Sequence, residues 1–124
     1  MTSRLAAPVD RPVDLAGRRF APAGTTGAPS SVGRYHQDGD AVWADFAGPT
    51  VRVGRLVGTR RPDGVIDAAY CYVTADGAAV AGTCESTPEV LADGRVRLTE
   101  RWRRMDGSSG VSVIEEIGPD EVDG

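Results

Sequence analysis

The clearest alternation of polar and apolar residues in the chain is the stretch RVRLTERWR at residues 95–103. A period of two divides it into a polar and a mostly apolar face, which is typical of a strand with one side in water. The polar face carries Arg95, Arg97, Thr99, Arg101 and Arg103. The other face carries Val96, Leu98, Trp102 and one carboxylate, Glu100. A carboxylate in an otherwise apolar stripe makes Glu100 the first candidate functional residue.

Regularly spaced turn signals divide the rest of the chain into segments of strand length. Asp-Gly occurs at 38–39, 63–64, 76–77, 93–94 and 106–107, and Gly48-Pro49 adds a further break. Asp-Gly favours two-residue hairpin turns, which need positive φ at both central positions. We predict strands at 17–22, 31–37, 41–47, 50–59, 65–74, 79–86, 95–104 and 110–117. The segment TPEVL at 87–91 fits either one helical turn or a short extra strand that pairs across Asp93-Gly94.

Eight consecutive strands without helices predict an all-β fold that buries its apolar side against itself. A single up-and-down antiparallel β-barrel, lipocalin-like in shape, does this and leaves no exposed edge. A two-sheet sandwich is the alternative. Within this fold we expect a flexible N-terminal extension at 1–16, the barrel domain at 17–117 and a flexible acidic tail at 118–124.

The composition of the predicted strands favours a hollow barrel. Eight strands enclose room either for packed side chains or for one small ligand. The chain has only two Phe, two Trp and three Tyr, and small residues lie in the predicted strands: Gly54, Gly58, Gly82, Ala44 and Ala68. Inward small residues leave volume unfilled, although glycines also permit bends at barrel corners.

A small set of polar and aromatic residues is predicted to line such a cavity. In residues 65–73 the face that carries Tyr70 and Tyr72 is expected to point inward, because Asp67 lies on the other face. In residues 110–117 either choice of inward face brings a carboxylate, Glu115 or Glu116, toward the interior. The candidate ligand-binding residues are Tyr35, Trp43, Phe46, Tyr70, Tyr72, Glu100, Trp102, Ser112 and Glu116. Glu100 is also the candidate catalytic residue.

Structural interpretations stand beside these functional ones. Glu100 fits a position near the barrel mouth, or an ion pair with an inward arginine such as Arg52, because a buried carboxylate without a partner is unfavourable. His36, the only histidine, precedes a turn and is expected to be solvent-exposed. Ser112 lacks a nucleophile elbow and a second histidine, which argues against Ser-His-Asp hydrolysis.

Composition and charge exclude several function classes. The net charge of −4 argues against a nucleic-acid partner. All fourteen basic residues are arginine, so lysine Schiff-base chemistry is excluded. Cys71 and Cys84 do not form a metal-binding or disulfide pattern. The first residues contain no apolar run long enough for a signal peptide or a membrane span. We therefore expect a cytoplasmic protein without cofactor or metal, whose partner is a small organic molecule, and leave a homodimer open.

Four blocks of the sequence resemble a family of small bacterial proteins that often carry an N-acetylglutamate-synthase-like label. The blocks are YHQDGDAVWADF, GRLVG, CESTPEVLADGRVRLTERW and SVIEE, and the resemblance runs from Arg18 to Ile117. Acetyltransferases of the common fold bind the acetyl-CoA pyrophosphate on an (Arg/Gln)-x-x-Gly-x-(Gly/Ala) loop that opens a helix. The nearest match here, RLVGTR at 55–60, ends in arginine and precedes a turn. Acetyl transfer from CoA is therefore rejected.

Three functions of different classes remain. The first is a barrel that binds a partly apolar or aromatic small molecule, oriented by buried carboxylate and hydroxyl groups. The second is a cofactor-free isomerase, cyclase or lyase in which Glu100 is the general acid or base and a tyrosine donates to a developing oxyanion. The third is a packed barrel that acts through its Arg-rich outer face at 95–103 on an acidic partner.

Overall fold

Eight antiparallel strands account for most of residues 13–23 and 31–118, which are the residues that the computed structural model describes. They are β1 (Arg19–Pro22), β2 (Val32–Asp38), β3 (Ala41–Gly48), β4 (Val51–Arg60), β5 (Ile66–Thr74), β6 (Ala79–Val90), β7 (Val96–Arg104) and β8 (Ser109–Glu116). The described residues contain no helix long and apolar enough to cross a membrane. The predicted all-β class is confirmed.

The sheet closes on itself. Each strand pairs with the next along the chain, and β1 pairs with β8 through Phe20 opposite Glu116, Ala21 opposite Glu115 and Pro22 opposite Ile114. Closure removes both sheet edges, which an open sheet would expose to other chains. The predicted up-and-down barrel is therefore confirmed, and the two-sheet sandwich is wrong.

The Asp-Gly pairs lie at turns, but most use a different turn from the one expected. In the four hairpins after β4, β5, β6 and β7 the glycine has φ between 90° and 96° and is the last residue of a three-residue loop. In the β4–β5 loop, for example, Gly64 N donates to Arg61 O at 2.9 Å, and Arg61 N donates to Val65 O at 2.8 Å. Asp63 Oδ1 accepts from Val65 N at 3.0 Å. This aspartate therefore closes the loop with its side chain, and only the glycine needs positive φ.

The segment TPEVL does not form a helical turn. Residues 87–90 extend β6, where Val90 lies opposite Val96 of β7. Beyond Ser86 this strand pairs only with β7, because its pairing with β5 ends there. Pro88, which has no N–H, therefore lies in the part of β6 that has one neighbour, where a proline is tolerated. The extra-strand alternative is close to the observed arrangement, in which the strand is a continuation of β6.

A mainly aliphatic core fills one end of the barrel. The largest fully buried side chains are Phe20, Leu15, Ile66, Leu98, Val42 and Val96. We call this the closed end; it carries the β4–β5 and β6–β7 turns. The end with the β5–β6 and β7–β8 turns is called the open end.

The closed end is covered by a segment that precedes β1. Leu15 is 0 % exposed, its N–H donates to Gln37 Oε1 at 2.9 Å, and Arg60 hydrogen-bonds both to Val13 O and to Gln37 Oε1. Leu15 lies within the segment 1–16 for which an extension was predicted, so the core includes part of that segment. Residues 1–12 and 119–124 lie outside the described residues, and the predicted domain boundaries there stay predictions.

We expect Leu15→Ala to destabilise the protein although Leu15 belongs to no strand. Removing a fully buried leucine side chain lowers the free energy of unfolding by about 2–5 kcal/mol. The matched control is Val53→Ala, at a side chain that is 44 % exposed. Urea unfolding followed by tryptophan fluorescence measures both variants. Equal losses in the two variants would show that Leu15 does not cap the core.

Candidate functional site

Alternate residues of each strand point into the barrel, and toward the open end they enclose a cavity of about 240 Å³. Six aromatic side chains contribute to its wall: Phe20, Tyr35, Phe46, Tyr70, Tyr72 and Trp102. Its polar groups include Glu100, Arg104 and Ser112. Five of the aromatic residues, all except Phe20, were predicted as ligand-binding residues. The interior is hollow, which contradicts the packed barrel that the third candidate function assumes.

Three glycines determine how the aromatic rings stand along the wall. A Cβ atom added to Gly54 would overlap the ring of Phe46 on the neighbouring strand. A Cβ atom on Gly82 would lie 2.6 Å from the Tyr70 hydroxyl, and one on Gly110 would lie 2.5 Å from the Trp102 ring. Each glycine therefore accommodates an aromatic ring of an adjacent strand. The rings of Phe46 and Tyr70 fill the space next to Gly54 and Gly82. The cavity lies on the inner side of these rings.

Glu100 lies in the wall of the cavity, between the aliphatic core and the aromatic rings. Its residue neighbours across the sheet are Ser86 on β6 and Ser112 on β8. The Tyr35 hydroxyl lies 3.4 Å from Glu100 Oε2 and donates a long hydrogen bond to it. Among the described residues no arginine or histidine forms an ion pair with Glu100. The alternative ion pair with Arg52 is not formed, because Arg52 is exposed.

Burial controls the protonation of this cluster. It raises the pKa of Glu100 to about 7, and the hydrogen bond from Tyr35 only partly opposes this shift. Burial first, and the nearby Glu100 charge second, raise the pKa of Tyr35 well above its usual value. The same two causes raise the pKa of Cys84 to about 12. Within the cluster of Tyr35, Cys84 and Glu100, the group that titrates near neutral pH is therefore Glu100. Its carboxyl group donates a hydrogen bond when it is protonated and accepts hydrogen bonds when it is ionised.

Arg104 is a cavity residue that the sequence analysis did not identify. Its Nη2 donates to the Tyr72 hydroxyl at 3.1 Å, and its guanidinium carbon lies 4.6 Å from the centre of the Trp102 ring. Trp102 is held in turn by its Nε1–H, which donates to Ser112 Oγ at 3.0 Å. The alternation that placed Glu100 and Trp102 inward also places Arg104 inward when it is continued by one more step. The predicted strand at 95–104 includes Arg104, but the division into two faces covers only residues 95–103.

Two predicted site residues lie outside the cavity. Trp43 is on the outer face of β3, 40 % exposed, and stacks on His36 at 5.5 Å, because Val42 and Ala44 occupy the inward positions. Glu116 is at the closed end, where its Oε1 accepts from Arg18 at 2.9 Å and from Val96 N at 3.1 Å. Its carboxylate is therefore occupied in holding β8 to the core.

Other predicted residues take structural roles or stay exposed. His36 is half-exposed, with Nε2 at 3.3 Å from Asp45 Oδ1. On the Arg-rich outer face, Arg97 pairs with Glu115 at 2.8 Å. Cys71 is exposed and Cys84 is buried, and both are free thiols. Among the described residues no cluster of His, Cys, Asp and Glu is suited to a metal ion.

The closed barrel and its internal cavity define a calycin-type protein, an architecture that encloses small molecules. A family comparison gives the narrower class: residues 13–117 match the family described as avidin-like protein. The chain belongs to the avidin-like family. Searches of curated proteins and of solved structures gave no significant match. The expected calycin-like shape is confirmed, whereas the family match does not support the N-acetylglutamate-synthase-like label.

We expect the stability of the protein to depend on the protonation of Glu100. Its pKa of about 7 in the folded state exceeds the ordinary value of 4.5, so the folded protein retains a proton that the unfolded chain has lost. The free energy of unfolding therefore falls as the pH rises from 4.5 to 7, by roughly 2 kcal/mol after allowance for water in the cavity. Glu100→Gln, which resembles the neutral acid, should not show this fall.

The measurement is urea unfolding of both proteins at about pH 5 and about pH 8. The stability advantage of Glu100→Gln over the wild type should be larger at the higher pH. Glu89→Gln, at an exposed carboxylate on the outer face of β6, is the control and should follow the wild type. Parallel pH profiles for the wild type and Glu100→Gln would contradict the assignment.

Proposed function

We propose that this protein binds one small organic molecule inside the barrel, toward its open end. The aromatic wall contacts the apolar or aromatic body of the ligand, and Glu100, Tyr35 and Ser112 orient its polar groups. The observation that carries the proposal is the cavity of about 240 Å³, in which a wall of six aromatic residues surrounds a small number of polar groups. Such a combination is typical of small-molecule sites.

The positions of the polar groups support this assignment. Glu100 lies at the deep side of the cavity next to the aliphatic core, and Arg104 lies near the β7–β8 turn at the open end. Ser112 faces Glu100 across the β7–β8 pair and already accepts a hydrogen bond from Trp102. A ligand in the cavity therefore meets fixed polar groups at both ends and aromatic rings between them. Fixed groups of this kind determine orientation and specificity.

The family supports the general function. Avidin-like proteins bind small molecules such as biotin, and biotin is therefore one of the first compounds to test.

A cavity-filling variant tests the proposal. Ser112→Phe places a ring in the cavity, whereas Val111→Phe places the same ring on the outer face, where Val111 is 62 % exposed. We expect mass spectrometry under native conditions to find a co-purified small molecule, or titration calorimetry to find one among biotin and a panel of aromatic compounds. Ser112→Phe should abolish binding and Val111→Phe should retain it. Equal binding by both variants would place the ligand outside the barrel.

A second candidate function is supported by one observation. A carboxyl group with a pKa of about 7 next to a tyrosine hydroxyl is suited to general acid–base catalysis near neutral pH. The corresponding activity is that of a cofactor-free isomerase, cyclase or lyase in which Glu100 moves a proton and Tyr35 donates to a developing oxyanion.

Glu100→Gln distinguishes binding from catalysis. In a binding protein we expect it to weaken affinity by about 1–3 kcal/mol, the effect of one hydrogen bond. In an enzyme we expect it to reduce turnover by about 10²–10⁴-fold while the ligand still binds. The measurements are calorimetry for affinity and NMR detection of product after incubation with the identified ligand. A ligand that the wild type leaves chemically unchanged would argue against the enzyme.

A further inference from the structure

Two charged side chains point into the cavity from one strand, and neither is neutralised by protein. Glu100 and Arg104 lie on the inward face of β7 and are four residues apart, so their Cα atoms are separated by about 13 Å. Within residues 13–23 and 31–118, neither side chain forms an ion pair. Trp102 lies between them in the sequence and packs against Arg104. When Glu100 is ionised, the cavity therefore has a negative end and a positive end.

The Glu100 end lacks a positive charge. The polar groups near this carboxylate are the hydroxyls of Tyr35, Ser86 and Ser112 and the thiol of Cys84, and none of them carries a positive charge. A buried carboxylate is stabilised by a cation that also donates hydrogen bonds. Aromatic rings in the same wall offer favourable contacts to an ammonium group through their faces. An organic ammonium ion supplies both kinds of contact.

Among the described residues, the Arg104 side chain has no anion in hydrogen-bond contact. Its Nη2 donates to Tyr72, but its Nε is buried without a hydrogen-bond partner. Hydrogen bonds from the hydroxyl and N–H of Ser108, and to a smaller extent the Arg104 charge, lower the pKa of the nearest acid in sequence, Asp106. The Asp106 carboxylate forms no ion pair with Arg104. An unpaired guanidinium with free donors is suited to a planar anion such as a carboxylate, which accepts two parallel hydrogen bonds.

We propose that the ligand is a zwitterionic small molecule whose ammonium group binds Glu100 and whose carboxylate binds Arg104, with an apolar body against Trp102 and Tyr70. This inference rests on the proposed binding function and specifies its ligand class. A neutral ligand would leave the Arg104 charge without a partner and Glu100 either protonated or ionised without a cation, and a ligand with one charge would satisfy only one end. A zwitterion satisfies both at once, and its length must match the spacing of the two ends.

A matched series of probes tests the charge pattern. The series is 4-(aminomethyl)benzoate, 4-(aminomethyl)phenylacetate and 3-[4-(aminomethyl)phenyl]propanoate, which differ in length. For each, one analogue replaces the amine by a hydroxyl group and another replaces the carboxylate by a carboxamide. We expect one length to bind best and to bind about 10- to 100-fold tighter than either of its analogues in titration calorimetry.

Two variants test the two ends of the cavity one at a time. Glu100→Gln should remove the preference for the amine over the hydroxyl analogue and leave the preference for the carboxylate. Arg104→Gln should do the reverse. Arg101→Gln, at an exposed position on the outer face of the same strand, should retain both preferences. Circular dichroism checks that each variant is folded.

Proton exchange gives an independent readout at a pH slightly below 7. Binding of an ammonium group favours the ionised form of Glu100, so the complex should release protons in calorimetry repeated in buffers of different ionisation enthalpy. A neutral ligand that accepts a hydrogen bond from the protonated acid would instead take protons up. Tyr35 and Cys84 do not contribute, because their pKa values are raised far above this range. Glu100→Gln should abolish the proton release.

The possible failures are distinguishable. Equal binding of the hydroxyl and amine probes, proton uptake, or a co-purified ligand that is neutral would overturn the zwitterion while the binding function stands. Preferences unchanged in Glu100→Gln and Arg104→Gln would overturn it as well. If no probe binds and no molecule co-purifies, the proposed function itself fails.

Discussion

The interaction on which the rest of the structure depends is the pairing of β1 with β8. Three residue pairs, from Phe20 opposite Glu116 to Pro22 opposite Ile114, close the sheet. Closure determines which alternate residues face inward on each strand, and it fixes the interior volume. The closed end is filled by aliphatic side chains, with Leu15 as its cap. The remaining interior toward the open end is lined by rings and polar groups, so one short strand pairing determines both the core and the cavity.

The cavity stays open because aromatic rings lie over glycines in the wall. Phe46 lies over Gly54, Tyr70 over Gly82 and Trp102 over Gly110. A ring held against a neighbouring backbone contributes apolar surface without occupying the centre of the barrel. The polar groups in this wall reduce stability, because Glu100 is buried without a cation and Arg104 has a buried Nε without a partner. Unfavourable burial of this kind is common where a protein binds or reacts with another molecule.

The alternation of polar and apolar residues predicted most of the fold but only part of the candidate site. It identified the eight strands, the closure and the inward face of Tyr70 and Tyr72, because a period of two and Asp-Gly turns are local signals. Trp43 was misplaced because the sequence of β3 contains apolar residues on both faces, and only the register with β4 decides between them. The Tyr35–Glu100 contact joins residues 65 positions apart, which no local pattern predicts.

Both candidate functions depend on the protonation state of Glu100, but acid catalysis and ammonium binding need opposite states. A pKa of about 7 lets the cavity present either a neutral acid or a carboxylate near neutral pH. General acid catalysis needs the protonated form, whereas an ammonium ligand stabilises the ionised form. A ligand that binds through its ammonium group therefore removes the proton that acid catalysis would donate. Amine binding at Glu100 is thus compatible with a binding protein, or with Glu100 as a base, but it excludes Glu100 as the acid toward that same ligand.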